Sequence, residues 1–190
     1  MDYTQIPDDA FEHIQRNAGI LCTEFDPETR VYDGQIGVTS GGISFEVTPT
    51  YIDFGDDMDN CPKNALELKE LQEVEAKLSC TFNAADSLQV KRLIGAADMT
   101  ESEAGVKKIT PRYEITSTDF ENIWFVCDYG QGGFIAVEVK NCLSTGGFKI
   151  QTTDREKGTF DAEFTAHTSL KSQDELPYDV YIVDTALISE

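Results

Sequence analysis

The stretch from Leu71 to Ala97 constrains the fold of this chain more than any other. Between Val74 and Phe82 apolar and polar residues alternate without a break. Val74, Ala76, Leu78, Cys80 and Phe82 fall on one side and Glu75, Lys77, Ser79 and Thr81 on the other, with Glu73 preceding them on the polar side. A period of two sustained this long predicts a half-buried strand, one face in a core and one in water. At Asn83 the period changes. Asn83 reads as a helix cap, Asp86 falls at the third helical position facing free amides, and no Pro or Gly intervenes before Gly95. Val90, Leu93, Ile94 and Ala97 then form one apolar stripe while Lys91 and Arg92 point away. Leu88 lies off the stripe. A strand with an acidic wet face therefore runs into the one convincing helix, which must lie against a sheet.

Most of the remaining chain reads as strands. Ile20–Phe25 and Gln35–Val38 flank turn-rich pieces at Asp26-Pro27 and Asp33-Gly34, and Ile43, Phe45 and Val47 alternate with Ser44, Glu46 and Thr48. Further strands are predicted at Ile123–Asp128, Phe134–Val139, Phe148–Thr152 and Thr159–His167, with a short last one around Val180–Ile182. Asp154-Arg155-Glu156-Lys157-Gly158 is a hairpin signal, and along Thr159–His167 the acids Asp161 and Glu163 lie opposite Phe160, Ala162 and Phe164. Pro7-Asp8-Asp9 opens a short N-terminal helix with Phe11, Ile14 and Ala18 inward and Gly19 as its stop; docking on its own domain and docking on a neighbour both fit. Two polar connections stand out. One runs from Asp53 towards Leu68, and loops of that length inside a domain are usually functional or disordered. The other, Asp98–Lys108, reads as a flexible piece before a strand opened by Pro111. The fold class is mostly β: a sandwich or barrel with one main flanking helix, a short N-terminal helix or arm, and a long loop.

Charge removes several function classes. The 190 residues hold 35 acidic against 15 basic side chains, a net charge of −20. DNA and anionic lipid repel such a surface. No apolar run approaches the roughly 18 residues of a membrane span, and Met1–Gln5 lacks the basic and apolar regions of a signal peptide, so a cytoplasmic chain is expected. The five cysteines (Cys22, Cys61, Cys80, Cys127, Cys142) are odd in number, widely spaced and without a Cys-x-x-Cys, which favours small buried thiols over disulfides or a zinc site.

Sequence signatures of chemistry fail on inspection. His13 and His167 have no metal-binding spacing. Gly-x-Ser-x-Gly, the Walker loop and Gly-x-Gly-x-x-Gly do not occur. Asp53-Phe54-Gly55 matches one kinase motif without the others. Carboxylate pairs such as Glu73/Glu75 have the residue types of a glycosidase, but among 35 acids they read as a solvated strand face. Asp53, Asp56, Asp57, Asp59 and Asn60 are calcium-ligand types. An EF-hand starting at Asp57 would place Cys61, Pro62 and Leu68 at its fifth, sixth and twelfth positions, which excludes it; an irregular cation site stays open. No catalytic residue, cofactor or metal ligand is assigned.

The order of several short motifs adds a resemblance. Ile6-Pro7-Asp8-Asp9-Ala10-Phe11 with Asn17-Ala18-Gly19-Ile20-Leu21, then Gly41-Gly42-Ile43-Ser44-Phe45, then Asp53-x-Gly55-x-Asp57-x-Asp59-Asn60-Cys61-Pro62-Lys63-Asn64 follow one another. Lys91-Arg92-Leu93-Ile94-Gly95-Ala96-Ala97-Asp98, Leu143-Ser144-Thr145-Gly146-Gly147-Phe148 with Gln151-Thr152-Thr153-Asp154, and Phe164-Thr165-Ala166-His167 complete the series. In this order, from Ile6 to Ile182, they resemble the tail tube (major tail) proteins of long-tailed bacteriophages. The resemblance implies a β-sandwich with a flanking helix, six copies in a ring, inner sheets joined into one barrel, and rings stacked into a tube for viral DNA. It implies a single tail tube domain over residues 1–190, an arm over 1–19, an inter-subunit or inter-ring loop over 53–68 and a loose tail over 184–190.

Under that resemblance Glu73 and Glu75, with Glu46, Asp161 and Glu163, line the channel. Asp53, Asp56, Asp57, Asp59, Asn60, Cys61 and Pro62 belong to the bridging loop, and Leu88 to an interface helix. The implied partners are further copies of the chain, the tape measure, tail terminator and baseplate or tip proteins, and passing DNA that is not specifically bound. The implied location is the virion, after assembly in the bacterial cytoplasm, with no membrane. The rival classes are a cation-dependent carbohydrate-binding sandwich, drawing on Trp124, the seven tyrosines and the acidic loop, a β-rich hydrolase, and a tube-terminating or baseplate-proximal relative with the same fold.

Overall fold

The computed structural model describes residues 6–7, 10–11, 13–152, 154–155 and 157–183, with the side chains of Tyr129 and Gln131 left aside. The chain is mostly β. In order come β1 (Ile20–Asp26), β2 (Val31–Gln35), β3 (Val38–Asp53), β4 (Lys69–Ala84), helix α1 (Ser87–Ile94), β5 (Ala97–Glu101), β6 (Lys107–Pro111), β7 (Glu121–Tyr129), β8 (Gly133–Ser144), β9 (Lys149–Gln151), β10 (Thr159–Thr165) and β11 (Tyr178–Val183). Every pairing is antiparallel. One layer runs β2-β1-β7-β8-β11 and the other β3-β4-β10-β9. β8 joins the two, because Phe134–Val139 pair with β11 whereas Leu143 and Ser144 pair with β10.

The core lies between the layers, where the alternating strands meet. β4 contributes Ala76, Leu78, Cys80 and Phe82, β10 contributes Ala162 and Phe164, and β7 and β8 answer with Ile123, Phe125, Cys127, Val137 and Val139. A second, smaller cluster covers the far face of the first layer. There Phe25 packs on Trp124 and Phe134 with ring centroids 5.6 and 5.4 Å away, and Trp124 meets Tyr181 at 5.4 Å. Burial pushes the Cys80 and Cys142 thiols up to about 12. Four of the five cysteines are buried and all are free, so they act as small apolar side chains.

The helix begins later than the sequence indicated. β4 keeps its pairing with β3 through Ala84, opposite Val38, so the Asn83 backbone is committed to the sheet. Asp86 caps instead: its Oδ1 accepts the Gln89 amide at 2.8 Å while Gln89 Oε1 accepts the Asp86 amide at 3.1 Å, a reciprocal capping box. Gln89 is thereby buried alongside Leu93. Gly95, at φ 82°, ends the helix, so Ala97 is buried as the first residue of β5 and not as part of a helical stripe. Arg92 does not point away into solvent either, since its Nε donates to Glu121 at 2.5 Å. Leu88 is exposed.

Three further expectations change. Among the described residues before Gly19 there is a turn at Ala10 and Phe11 and no helix; Asp8 and Asp9 lie outside the described residues. Phe11 and Ile14 are exposed, because the segment is held by polar bonds to the end of β7. Arg16 N–H donates to the Asp128 carbonyl and Gly130 N–H to the Ile14 carbonyl, each at 3.1 Å, and Asn17 Nδ2 reaches Asp128 Oδ2 at 2.6 Å. Asp33-Gly34 sits inside β2, and the turn lies upstream, where Asp26 accepts the Glu28 amide and the Thr29 hydroxyl. Asp98–Lys108 is a hairpin, with Ser102 N–H on the Val106 carbonyl at 2.9 Å, and Pro111 closes β6 where a strand opening was expected. The expected tail over 184–190 lies outside the described residues.

A buried ion pair fastens that hairpin. Arg112 donates to Asp98 at 3.1 Å and to Asp119, whose side chain is wholly covered. Burial alone would raise the Asp119 carboxyl; the Thr116 amide and hydroxyl and the Arg112 guanidinium outweigh it and hold the group below the usual aspartate range. A depressed carboxylate stabilises the fold above its ordinary value and loses that contribution as pH falls through the folded one. Stability measured by urea unfolding should therefore decline below about pH 4, and Asp119→Asn, weaker at neutral pH, should show a shallower acid decline. Phe82→Ala, which empties the middle of the core, should cost about 3–5 kcal/mol in the same measurement.

Candidate functional site: an acidic sheet face

The candidate site is the outer face of the β3-β4-β10 sheet. Because Leu78, Cys80 and Phe82 must face the other layer, the residues between them face water. The register sets neighbours: Glu46 of β3 lies opposite Lys77, Thr48 opposite Glu75 and Thr50 opposite Glu73, while on the other side of β4 Asp161 lies opposite Thr81, Glu163 opposite Ser79 and Thr165 opposite Lys77. Glu46, Glu75, Asp161 and Glu163 thus come together on three adjoining strands. Glu73 continues the row along β4, beyond the edge of the core, where Lys69–Glu73 are exposed on both sides.

Polar partners hold the row. Lys77 Nζ lies 2.7 Å from Glu75 Oε1, and that bond, with the nearby charges of Glu163 and Glu46, keeps the lysine above its usual range. Lys149 Nζ lies 2.9 Å from Asp161 Oδ2, and the Thr81 hydroxyl donates to Asp161 Oδ1 at 3.2 Å. The Thr145 hydroxyl donates to Glu163 at 3.2 Å and meets the Thr165 hydroxyl at 2.7 Å. Five carboxylates therefore share the face with two ammonium groups, both already engaged. Lys77 was visible in the alternation of β4. Lys149 was not, because its place opposite Asp161 depends on the β9–β10 register. Ser40, Gly41, Lys149, Asp161 and Glu163 border a depression of about 500 Å³ where β3 bulges between Ser40 and Ile43. Gly41 and Gly42 take φ of 78° and 92° there, a conformation that suits glycine.

The long connection is an ordered loop at the tip of the β3–β4 hairpin. Asp53 staples it: Oδ1 accepts the Gly55 amide at 2.9 Å and Oδ2 the Asn64 amide at 3.0 Å. Phe54 N–H donates to the Leu68 carbonyl at 3.0 Å and Cys61 N–H to the Met58 carbonyl at 3.3 Å. Gly55 is buried under Cys61 and Leu68, and a Cβ there would meet the Cys61 sulfur at 2.9 Å. Asp56, Asp57, Asp59, Asn60 and Pro62 are exposed. Among the described residues no three His, Cys, Asp or Glu side chains cluster as a metal ion requires. Trp124 is 8% exposed beneath Phe25 and Tyr181, so it offers no open face for a sugar ring.

The Lys149 contact makes a sharp prediction. It is the largest of the influences that hold the Asp161 carboxyl below the usual aspartate range; burial works against it. In NMR titration of the side-chain carboxyls, Asp161 should protonate at lower pH than an isolated aspartate. Lys149→Ala should move that midpoint up; an unmoved midpoint rules the contact out.

No protein-family model and no curated protein sequence matches the chain. Among solved structures, a chain from the virion of a native gene transfer agent particle is similar with a TM-score of 0.44 and 11% identity, the match covering 82% of this chain and 96% of that one. A chain from the tail of an empty gene transfer agent particle, with C6 symmetry, is similar with a TM-score of 0.41 and 9% identity, covering 81% of this chain and 96% of that one.

Proposed function

We propose that the chain is a tail tube protein: a non-enzymatic virion component, one domain per subunit, whose copies close into six-membered rings that stack into a conduit for DNA. The observation that carries this reading is a sheet with an apolar inner face, a carboxylate outer face and open edges. Among the described residues β3 pairs only with β4 and β9 only with β10, so each leaves one row of backbone donors and acceptors without a strand partner there. Such edges recruit another strand. Joining the β3 edge of one copy to the β9 edge of the next continues the sheet around a ring and carries Glu46, Glu73, Glu75, Asp161 and Glu163 onto one wall.

A wall of that chemistry suits passage over binding. Phosphates moving past it meet no free cation and release no counterions by sticking. Repulsion from all sides centres the duplex, within a screening length of about 8 Å at physiological salt. The ordered Asp53–Leu68 loop and the exposed Leu88 are surfaces for neighbouring copies, and tape measure, terminator and baseplate proteins are the partners at the tube ends. Assembly in the host cytoplasm belongs to the same reading. The resemblance of the motifs, in order along the chain, supports it independently of charge.

Electron microscopy of the purified protein across concentration and salt tests the proposal. Rings or tubes are expected; a monomer under every condition overturns it, and rings that never stack mark a tube-terminating relative. Deleting Asp56–Asn64 should leave a soluble, folded subunit that forms no tubes. Glu73→Lys with Glu75→Lys should change stability by only about 0.5 kcal/mol per exposed site yet impair DNA ejection, since a ring multiplies each new cation; normal ejection would remove these residues from the channel.

A further inference from the structure

We infer the register of the joint between neighbouring copies: Lys149 of β9 pairs with Glu46 of β3 in the next copy, and the edges close in that alignment alone. This rests on the tube reading, which brings the two edges together, and adds which residues meet and what selects them.

The phase of the backbone hydrogen bonds comes first. Ala166 N–H donates to the Ala76 carbonyl and Thr145 N–H to the Glu163 carbonyl, each at 2.9 Å. Backbone groups alternate sides along an antiparallel strand, so even-numbered residues of β10 bond towards β4 and odd-numbered ones away from it. The registers of β10 with β4 over Phe160–Thr165 and of β3 with β4 over Ile43–Thr50 run without a shift. Carried across them, the alternation turns the backbone groups of Ile43, Phe45 and Val47 to the free edge of β3. Pro49 falls in the same outward set, where its missing donor breaks no bond of the sheet. In β9, Lys149 and Gln151 bond inward to β10, opposite Asp161 and Thr159, and Ile150 faces out. On both edges the outward-bonding residues carry their side chains on the core side. Three antiparallel pairings in series make β3 and β9 run oppositely, so their joint is antiparallel and keeps core face with core face and wet face with wet face.

Three alignments two residues apart preserve those faces, setting Ser44, Glu46 or Thr48 opposite Lys149. The Thr48 alignment puts Phe148 against Pro49, which has no N–H to give. The Ser44 alignment leaves Lys149 without an acid and runs the end of β9 into the bulge between Ser40 and Ile43. The Glu46 alignment sets Ile150 beside Phe45 and Phe148 beside Val47, and it covers two side chains that a single copy leaves exposed, Phe148 at 42% and Ile150 at 57%. Glu46 is the one acid between Val38 and Ile52, and it forms no ion pair among the described residues, since Lys77 opposite it bonds Glu75. Glu46 and Lys149 would meet at a position without backbone bonds between them, where facing Cα atoms approach to about 4.5 Å and side chains interact best. Lys149 would then lie between Asp161 of its own copy, 2.9 Å away, and Glu46 of the next.

The test uses the alternation that a six-membered ring permits. Glu46→Lys alone puts two lysines at every joint, and Lys149→Glu alone puts two glutamates there. Each should raise the concentration needed for rings about tenfold, read by sedimentation and electron microscopy. In an equimolar mixture every joint is complementary when the two variants alternate. Rings should return within about threefold of the unaltered protein's concentration, with three copies of each variant by native mass spectrometry. Single variants that assemble as readily as the unaltered protein, or a mixture no better than its parts, overturn the inference. Register is read separately by combining Lys149→Cys with Glu46→Cys, Ser44→Cys or Thr48→Cys in rings assembled at high concentration. Within one copy these sites lie three strand spacings apart, about 14 Å, beyond the reach of a disulfide, so any bond joins two copies. Oxidation should link subunits up to the hexamer with Glu46→Cys only; linkage through Ser44→Cys or Thr48→Cys, or intact rings without linkage, overturns the register and leaves the tube reading standing. Unaltered protein that never forms rings refutes the tube reading itself.

Discussion

The register of β4 is the constraint on which the rest depends. Slipping it by one residue against β3 and β10 would turn Glu75 and Lys77 into the core and put Leu78 and Phe82 in water. Burying an unpaired charge costs several kcal/mol, so the alternative register is excluded by the charged side chains of the wet face. If the proposed channel is right, stability and function are not separable along this strand. The apolar side holds the layers together, and the acidic side follows from it by geometry.

How much of this was legible depends on the range of the interaction. The alternation from Val74 to Phe82 and from Thr159 to Thr165 is a local signal, and both strands appear where it places them. So is the hairpin at Asp154–Gly158, although Glu156 lies outside the described residues. Asn83 and Asp86 are both good caps, and the choice between them is made by Val38, which pairs with Ala84 from forty-six positions away and keeps β4 in the sheet. Asp98–Lys108 looked like a loop because its strands carry exposed residues on both faces, which leaves no alternation to detect. The N-terminal segment has an amphipathic helical pattern, yet Arg16 and Asn17 tie it to Asp128, and tertiary hydrogen bonds override so short a propensity.

The site was half visible for the same reason. The acids could be assigned to wet strand faces one strand at a time, but nothing local put Glu46 and Glu163 on the same face as Glu75, or the two lysines among them. Trp124 shows the converse. As the single Trp of a β-rich chain it invited a ligand-binding role, and the pairing of β7 with β1 and β8 instead sets it under Phe25 and Tyr181.

The two lysines also bear on how an acidic sheet holds together. Carboxylates on neighbouring strands repel one another within a screening length, so a face made only of acids would weaken its own strand pairing. Lys77 sits 2.7 Å from Glu75 and Lys149 2.9 Å from Asp161. At such distances each ammonium is already hydrogen-bonded to a carboxylate, and the hydroxyls of Thr81 and Thr145 take up further carboxylate oxygens. The lysines therefore relieve repulsion inside the sheet and, in the tube proposed above, would offer no free cation to a passing phosphate. Moving either one out of reach of its carboxylate would undo both effects at once: the acids would lose their neighbour, and the face would gain a point where nucleic acid can stick. In the proposed channel, net negative charge alone would not make a wall that DNA slides past; the cations within it would have to be spoken for.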